Sequence, residues 1–270
     1  MKVYCNGKLE DKQNLEEVFE PGFLFGWGAF EAMRAYSGNI PFLDLHIERL
    51  NNGLALLGID KVDLKWEDTI KGLLTENNLV DAYIRITAYK KRKETGVIIY
   101  VDKFGYYPPE SYNKGFSALI SPYKRNQHSV SCKVKSLSYL ENRLSWFVAQ
   151  KKNKSEALLL NQRGELVGGA RSNLFLLREA DAFTPSLEAG AFEGITRREV
   201  MAILNDLNIE VKEKKLTPDD IFNCEEVFLT SSLLEIMPLV ELEDKTIAKG
   251  VPGELTKKIH SRYKELTRTS

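Results

Sequence analysis

Residues 156–177 read EALLLNQRGELVGGARSNLFLL, and the fold turns on how this stretch is parsed. EALLLN and ELVGG are apolar runs on either side of Gln162-Arg163-Gly164, whose glycine suits the positive φ of a tight turn. They are predicted to form a β-hairpin, with NLFLL as a further strand. Before the hairpin, Leu140, Leu144, Phe147 and Val148 recur at helical spacing and lead into Lys151, Lys152, Asn153 and Lys154, a charged run read as a solvated face. After it, Val200, Ile203, Leu204 and Leu207 mark a helix, EVFLT at 226–230 a strand, and Leu255, Ile259, Tyr263 and Leu266 a last helix.

The first half also mixes helix and strand. VYCNGKLED at 3–11 reads as a hairpin around Asn6-Gly7. Leu43, Ile47, Leu50, Leu54 and Leu57 predict a helix with Asp44 as its cap and Gly58 as its stop, and a second helix is expected over Trp66 to Asn77. AYIRITAYK and GVIIYVDKF are strand-like in their β-branched and aromatic content. Gly105 to Gly115, with Tyr106, Tyr107, Pro108 and Pro109, breaks the pattern. The reading is an α+β chain: a small N-terminal α+β domain over 1–118, an interdomain linker over 119–127 and a larger C-terminal mixed α/β domain over 128–270.

Charge and composition exclude several classes. Lys plus Arg (38) equals Asp plus Glu (38), so no global field is available to hold nucleic acid or an anionic membrane, and any anion must be bound locally. No apolar run reaches the roughly 20 residues needed to span a bilayer, and the start MKVYCNGKLEDKQ is charged too early for a signal peptide. Cys5, Cys132 and Cys224 are few and far apart, which fits reduced thiols in a cytoplasm. His46, His128 and His260 lie at no metal-ligand spacing, so no metal site is expected, and there is no Gly-rich nucleotide loop.

Two local features suit an anion. Gly194-Ile195-Thr196 opens a helix, where unpaired N–H groups and the positive dipole end lie. Thr230-Ser231-Ser232 supplies three hydroxyls where a strand runs into a loop. Each alone is also an ordinary helix start or polar turn.

These pieces stand in the order of a known family. NGK, PGFLFGWGAFEAMRAYSGNIPFLDLHIERL, KSLSYLEN, EALLLNQRGELVGGARSNLF, TPSLEAGAFEGITRREV, EEVFLTSSLLEIMPLV and GVPGELT span nearly the whole chain. The sequence resembles the class IV, or fold type IV, pyridoxal-phosphate enzymes: branched-chain aminotransferases, D-amino-acid aminotransferases and aminodeoxychorismate lyases. The resemblance implies a homodimer of two-domain subunits using pyridoxal 5'-phosphate on an amino acid and a 2-oxo acid. It makes Lys135 the lysine that bonds the cofactor aldehyde, a role that partial desolvation beside Ser136 and Tyr139 would favour by lowering its pKa. It assigns the cofactor phosphate to Arg49, Ile195, Thr196, Ser231 and Ser232, and places Asn173 at the cofactor. Trp27, Phe30, Arg34, Tyr89 and Tyr139 become the expected substrate pocket, with Phe30, Glu31 and Arg34 matching the F-E-x-x-R of the branched-chain group.

There are departures. Gly168 stands where the family carries the glutamate that protonates the pyridine nitrogen, and Glu165, an odd number of residues away, falls on the opposite face of a regular strand. A weaker electron sink is expected, with Gly168→Glu raising turnover if the strand admits the side chain. Trp27 replaces a common aspartate, and Tyr89-Lys90 replaces a common Arg-Gly, which makes D-specificity less expected. The leading reading is a transaminase with branched-chain-like donors; the alternatives are aminodeoxychorismate lyase and a cofactor-binding relative with weak or lost turnover.

Overall fold

The computed structural model describes residues 1–105 and 107–269, so Tyr106 and Ser270 lie outside the described residues. The first part of the chain runs β1 (Lys2–Cys5), β2 (Lys8–Asp11), α1 (Pro21–Phe25), β3 (Gly28–Ala35), α2 (Leu43–Leu56), α3 (Trp66–Glu76), β4 (Ala82–Lys90), β5 (Thr95–Lys103) and α4 (Pro109–Lys114). The second part runs β6 (Phe116–Arg125), α5 (Leu140–Lys151), β7 (Glu156–Asn161), β8 (Leu166–Gly169), β9 (Asn173–Arg178), β10 (Asp181–Pro185), α6 (Ile195–Asp206), β11 (Glu210–Lys214), α7 (Pro218–Phe222), β12 (Glu226–Ser231), β13 (Glu235–Leu242), β14 (Lys245–Thr246) and α8 (Glu254–Thr269).

β3, β4 and β5 form an antiparallel sheet whose buried residues Met33, Ile84 and Ile86 pack with Leu50 and Leu54 of α2 and Ile70 of α3. The second part forms a mixed nine-stranded sheet in the order β11-β10-β9-β12-β13-β6-β7-β8, with β14 beside β13. It curls back on itself: Leu166 N–H, at the start of β8, donates to the Leu216 carbonyl beyond β11 at 2.7 Å. Val200, Ile203 and Leu204 of α6 and Ile259 and Tyr263 of α8 cover Phe175 and Phe228 on one face.

Three expectations are corrected. Residues 119–125 of the expected linker 119–127 lie in β6, which pairs in parallel with both β13 and β7, in the middle of the large sheet. In α5 the buried face is Asn142, Ser145 and Ala149, while Leu140 and Phe147 of the expected apolar face are 68% and 51% exposed. Small side chains let this helix lie close to the sheet, and Ser145 hydrogen-bonds Ser121 of β6 at 2.7 Å. Asp44 sits in the first turn of α2, where a carboxylate suits the dipole, but Phe42 in a left-handed conformation is the residue that precedes it as the cap.

The parts are stitched at the segment after β6. Phe30 N–H donates to the Lys135 carbonyl at 2.8 Å and Leu137 N–H to the Gly28 carbonyl at 2.9 Å, so residues 135–137 run along β3. That places Lys135 where the two sheets face each other.

Candidate active site

A cavity of about 500 Å³ opens between the β3–β5 sheet and the large sheet. One end is a cup of hydrogen-bond donors. The helix α6 begins at Gly194, and no side chain caps it, so the first N–H groups at Ile195 and Thr196 face the cavity end unpartnered by a cap. Asn173 at the start of β9 donates to the Phe192 carbonyl at 2.7 Å and fixes the approach to this helix. A side chain at Gly194 would collide with the Asn173 amide. From the end of β12, Thr230, Ser231 and Ser232 line the same cup, and the buried Thr230 hydroxyl has no partner among the described residues.

Arg49 of α2 completes the cup. Its Nε and Nη2 donate to the two oxygens of Glu31 at 2.8 and 2.7 Å, and Nη1 donates to the Glu193 carbonyl at 2.9 Å. Two of its five N–H groups remain for a ligand. Glu31, on β3, is only 1% exposed and also meets His46 Nδ1 at 2.7 Å, while His46 Nε2 lies 3.4 Å from Ser232 Oγ. Burial raises the Glu31 carboxyl, but Arg49 and His46 outweigh it and hold the group down at about 2. The cup is thus built on a buried carboxylate that stays ionised.

Lys135 stands in the middle of the cavity, its Nζ 4.9, 5.4 and 5.9 Å from the rings of Phe30, Phe192 and Tyr139. Burial, reinforced by the charges of Arg49, Arg85 and Arg125, lowers its pKa from 10.5 to about 8. A neutral, nucleophilic amine is therefore accessible near physiological pH.

The far wall comes from β4 and β5. β4 alternates, with Ala82, Ile84 and Ile86 in the core and Tyr83 and Arg85 turned to the cavity beside Tyr100 of β5. The Arg85 guanidinium lies 3.9 Å over the Phe30 ring. Across from it, Arg125 donates to Asn142 at 2.8 Å, and Arg143 and Arg171 stack on Trp146 at 4.9 and 4.7 Å. Arg49, Arg85, Arg125, Arg143, Arg171 and Lys135 line the cavity, and no aspartate or glutamate among the described residues lines it. Such a surface binds anions.

Every residue expected at the cofactor, namely Arg49, Lys135, Asn173, Ile195, Thr196, Ser231 and Ser232, lines this one cavity, as do Phe30 and Tyr139. Three expected pocket residues do not. Trp27 is turned outward and donates to the Leu57 carbonyl at 2.9 Å. Tyr89 is 7% exposed, packed beneath Gly22 and Gly96, and its hydroxyl donates to Glu17. Arg34 is buried against Glu235, with Nη1 at 2.7 Å from Oε1. Tyr83, Arg85, Tyr100, Arg125 and Arg143 escape a reading of the sequence alone; an arginine on the alternate face of an otherwise apolar strand is the available signal for Arg85.

Gly168 has φ +134°, a conformation L-residues rarely adopt, and a Cβ there would sit 2.9 Å from the Ser172 carbonyl oxygen. The condition placed on a glutamate at this position, that the strand admit its side chain, is not met, because the backbone there is built for glycine. Behind this wall the buried Glu156 accepts from Ser172 Oγ at 3.1 Å and from the N–H of its neighbour Ala157 at 3.0 Å, its carboxyl pushed up by burial. Glu165 is engaged elsewhere, accepting from Asn161 at 2.6 Å.

Known proteins resemble the chain along its length. The family pattern for amino-transferase class IV matches residues 28–242. A protein described as a putative branched-chain-amino-acid aminotransferase from Methanocaldococcus jannaschii is 33% identical, over 98% of this chain and 96% of the relative. A D-alanine aminotransferase of Bacillus licheniformis is 30% identical over 97% and 95%. The solved branched-chain aminotransferase of Thermoproteus uzoniensis with norvaline superposes with a TM-score of 0.84, at 28% identity, covering 100% of this chain and 96% of that one.

Proposed function

This chain belongs to the class IV aminotransferases, and we propose that it moves the amino group of an apolar, branched-chain-like amino acid to a 2-oxo acid through pyridoxal 5'-phosphate held in the arginine-lined cavity. The observation that carries the reading is the charge of the cavity: five arginines and a lysine of depressed pKa with no lining carboxylate among the described residues, a surface suited to a phosphate at one end and a substrate carboxylate at the other.

The residues present fit the cofactor. The uncapped start of α6 at Ile195 and Thr196, Ser231, Ser232 and the two remaining N–H groups of Arg49 would hold its phosphate, and Asn173 keeps the cup in shape. When bound, the cofactor supplies an aldehyde that condenses with amines and a ring that accepts electron density. Lys135 would supply the amine for that aldehyde, and its free Nζ would take the substrate α-proton and pass it to the cofactor side of the bond. The rings of Phe30, Tyr139 and Phe192 keep water from Nζ. Arg85, aimed from β4 and stacked on Phe30, receives the substrate carboxylate, and the apolar surface of Phe30, Val134, Val167 and Leu233 receives its side chain.

The same proposal includes a homodimer. Its support is a set of exposed apolar side chains, Phe23, Leu24 and Phe25 on α1 and Leu140 and Phe147 on α5. Cytoplasmic residence fits the three free cysteines, and no helix among the described residues is long and apolar enough to cross a membrane.

The test is a panel of donors. L-leucine, L-isoleucine, L-valine and D-alanine are offered with 2-oxoglutarate, and 4-amino-4-deoxychorismate is offered alone with pyruvate release followed. Branched-chain L-amino acids are expected to turn over fastest. D-alanine as the best donor, or pyruvate release outpacing transamination, would replace this reading with the corresponding alternative.

A further inference from the structure

The turn that closes the cup ends on a glutamate held where glutamate is disfavoured. β12 and β13 are joined by Ser232, Leu233 and Leu234, with Ser231 paired to Glu235 across the hairpin. Glu235 has φ +55°, the left-handed conformation in which such three-residue turns favour glycine. Its side chain explains why it is there. The carboxylate is 4% exposed and accepts from Arg34 Nη1 at 2.7 Å and Tyr36 OH at 3.1 Å, while its other oxygen lies 2.6 Å from His260 Nε2.

Those partners come from separate places in the fold. Arg34 and Tyr36 come from β3 and the residue just past it, and His260 from α8. Arg34 is clasped between the rings of Tyr36 and Phe104, at 4.4 and 4.3 Å. Tyr112 of α4 stacks on His260 at 4.5 Å and donates to the Leu234 carbonyl within the turn at 3.3 Å. The cup side of the same turn presents Thr230, Ser231, Ser232 and Leu233 to the cavity. β3 therefore grips the cup twice: Glu31 through Arg49 and through His46 to Ser232, and Arg34 through Glu235 at the turn's far end.

We propose that Arg34 and Glu235 are positioning residues for the anion cup, holding the Thr230–Leu234 turn in the one geometry in which its donors converge on the cofactor phosphate. The inference rests on the reading of that cup as the phosphate site. A glutamate outside the cavity is retained in a strained conformation because Arg34, Tyr36 and His260 are placed to meet it, and the result is a turn that cannot drift between an open and a closed shape. Arg34 thus serves the cofactor from a distance of one hairpin and does not meet the substrate.

The experiment compares dissociation constants of pyridoxal 5'-phosphate and of pyridoxal, by absorbance titration, in the unaltered protein and in Glu235→Gly, Glu235→Gln and Arg34→Met. Both compounds carry the same aldehyde, so the bond to Lys135 cancels in their ratio. The unaltered protein prefers the phosphate compound strongly, and Glu235→Gly and Arg34→Met should each lose about tenfold or more of that preference, the scale of a charged hydrogen bond, with pyridoxal affinity unchanged. Glu235→Gln, which keeps the shape of the side chain, should retain part of it and remains readable if the glycine variant fails to fold. A preserved ratio, or equal weakening of both compounds with a lowered melting temperature, would reduce the cluster to a staple of the fold and overturn the proposal. Absence of any phosphate preference in the unaltered protein would instead overturn the phosphate reading of the cup, and this inference with it.

Discussion

The two ends of the cavity are held by different physics. At the cup, each positioned group is backed by an ion pair on a buried carboxylate: Arg49 by the two oxygens of Glu31, and the turn by Arg34 on Glu235. At the substrate wall, Arg85 stacks on Phe30 and bonds Thr87, and no carboxylate among the described lining residues balances it there. Removing either partner of a buried ion pair is strongly destabilising, so its geometry is fixed, whereas a guanidinium on a ring can slide and be replaced with little loss. On the proposed reading, the end that would bind the cofactor is locked, and the end that would meet the amino acid is adjustable.

The comparison breaks most sharply at Glu31. Glu31→Gln leaves the buried His46 and the partly buried Arg49 without their carboxylate, and a loss of about 3 kcal/mol in unfolding free energy is expected by denaturant titration. The matching change on the other wall, Arg85→Met, should leave stability within about 1 kcal/mol yet weaken substrate binding by about 1.5–3 kcal/mol, read as a raised KM with cofactor affinity intact. If Arg85→Met costs as much stability as Glu31→Gln, the distinction between a locked and an adjustable end falls.

Gly168 sits between Val167 and Gly169, both of which line the cavity. Gly168→Glu is expected to destabilise the protein by about 1–3 kcal/mol through backbone strain alone, with no gain in turnover. The smallest effect is in pH. Because burial and neighbouring arginines lower Lys135 from 10.5 to about 8, the neutral fraction of its amine reaches one half at about pH 8 and levels off about one unit above. Below that point the initial rate of cofactor capture should fall about tenfold per pH unit once most of the amine is protonated. A rate that keeps climbing toward 10.5 would mark an ordinary solvated lysine.

Much of the cup is legible in the sequence because its chemistry is contiguous. Gly194-Ile195-Thr196 and Thr230-Ser231-Ser232 are each a run of donors at an element's end, and their anion-binding sense survives without a partner in view. The substrate wall is not legible in the same way. Arg85 and Tyr83 gain their meaning from β4 alternation and from what β5 brings beside them, and the arginines at 125, 143 and 171 converge from separate elements. Arg34 sits in a motif that suggests substrate, but its partner is Glu235, 201 residues along the chain. The strand β6 reads as a linker because the Gly- and Pro-bearing run from Gly105 to Gly115 breaks the pattern just before it, and Ser121 and Pro122 interrupt its own apolar run. Both lie within the stretch where its pairing with β7 shifts register between Ile120 and Lys124, and the strand is otherwise fixed by β13 and β7, neighbours in space that no local pattern announces.

The central claim is that Lys135 is the amine that meets the cofactor. Pyridoxal 5'-phosphate is added to the purified protein, the product is reduced with borohydride, and the modified residue is located by peptide mass mapping. The account predicts one reduced adduct per chain, on Lys135 in the segment KSLSYLEN, lost in Lys135→Ala. An adduct on another lysine, or none after reconstitution, would contradict it.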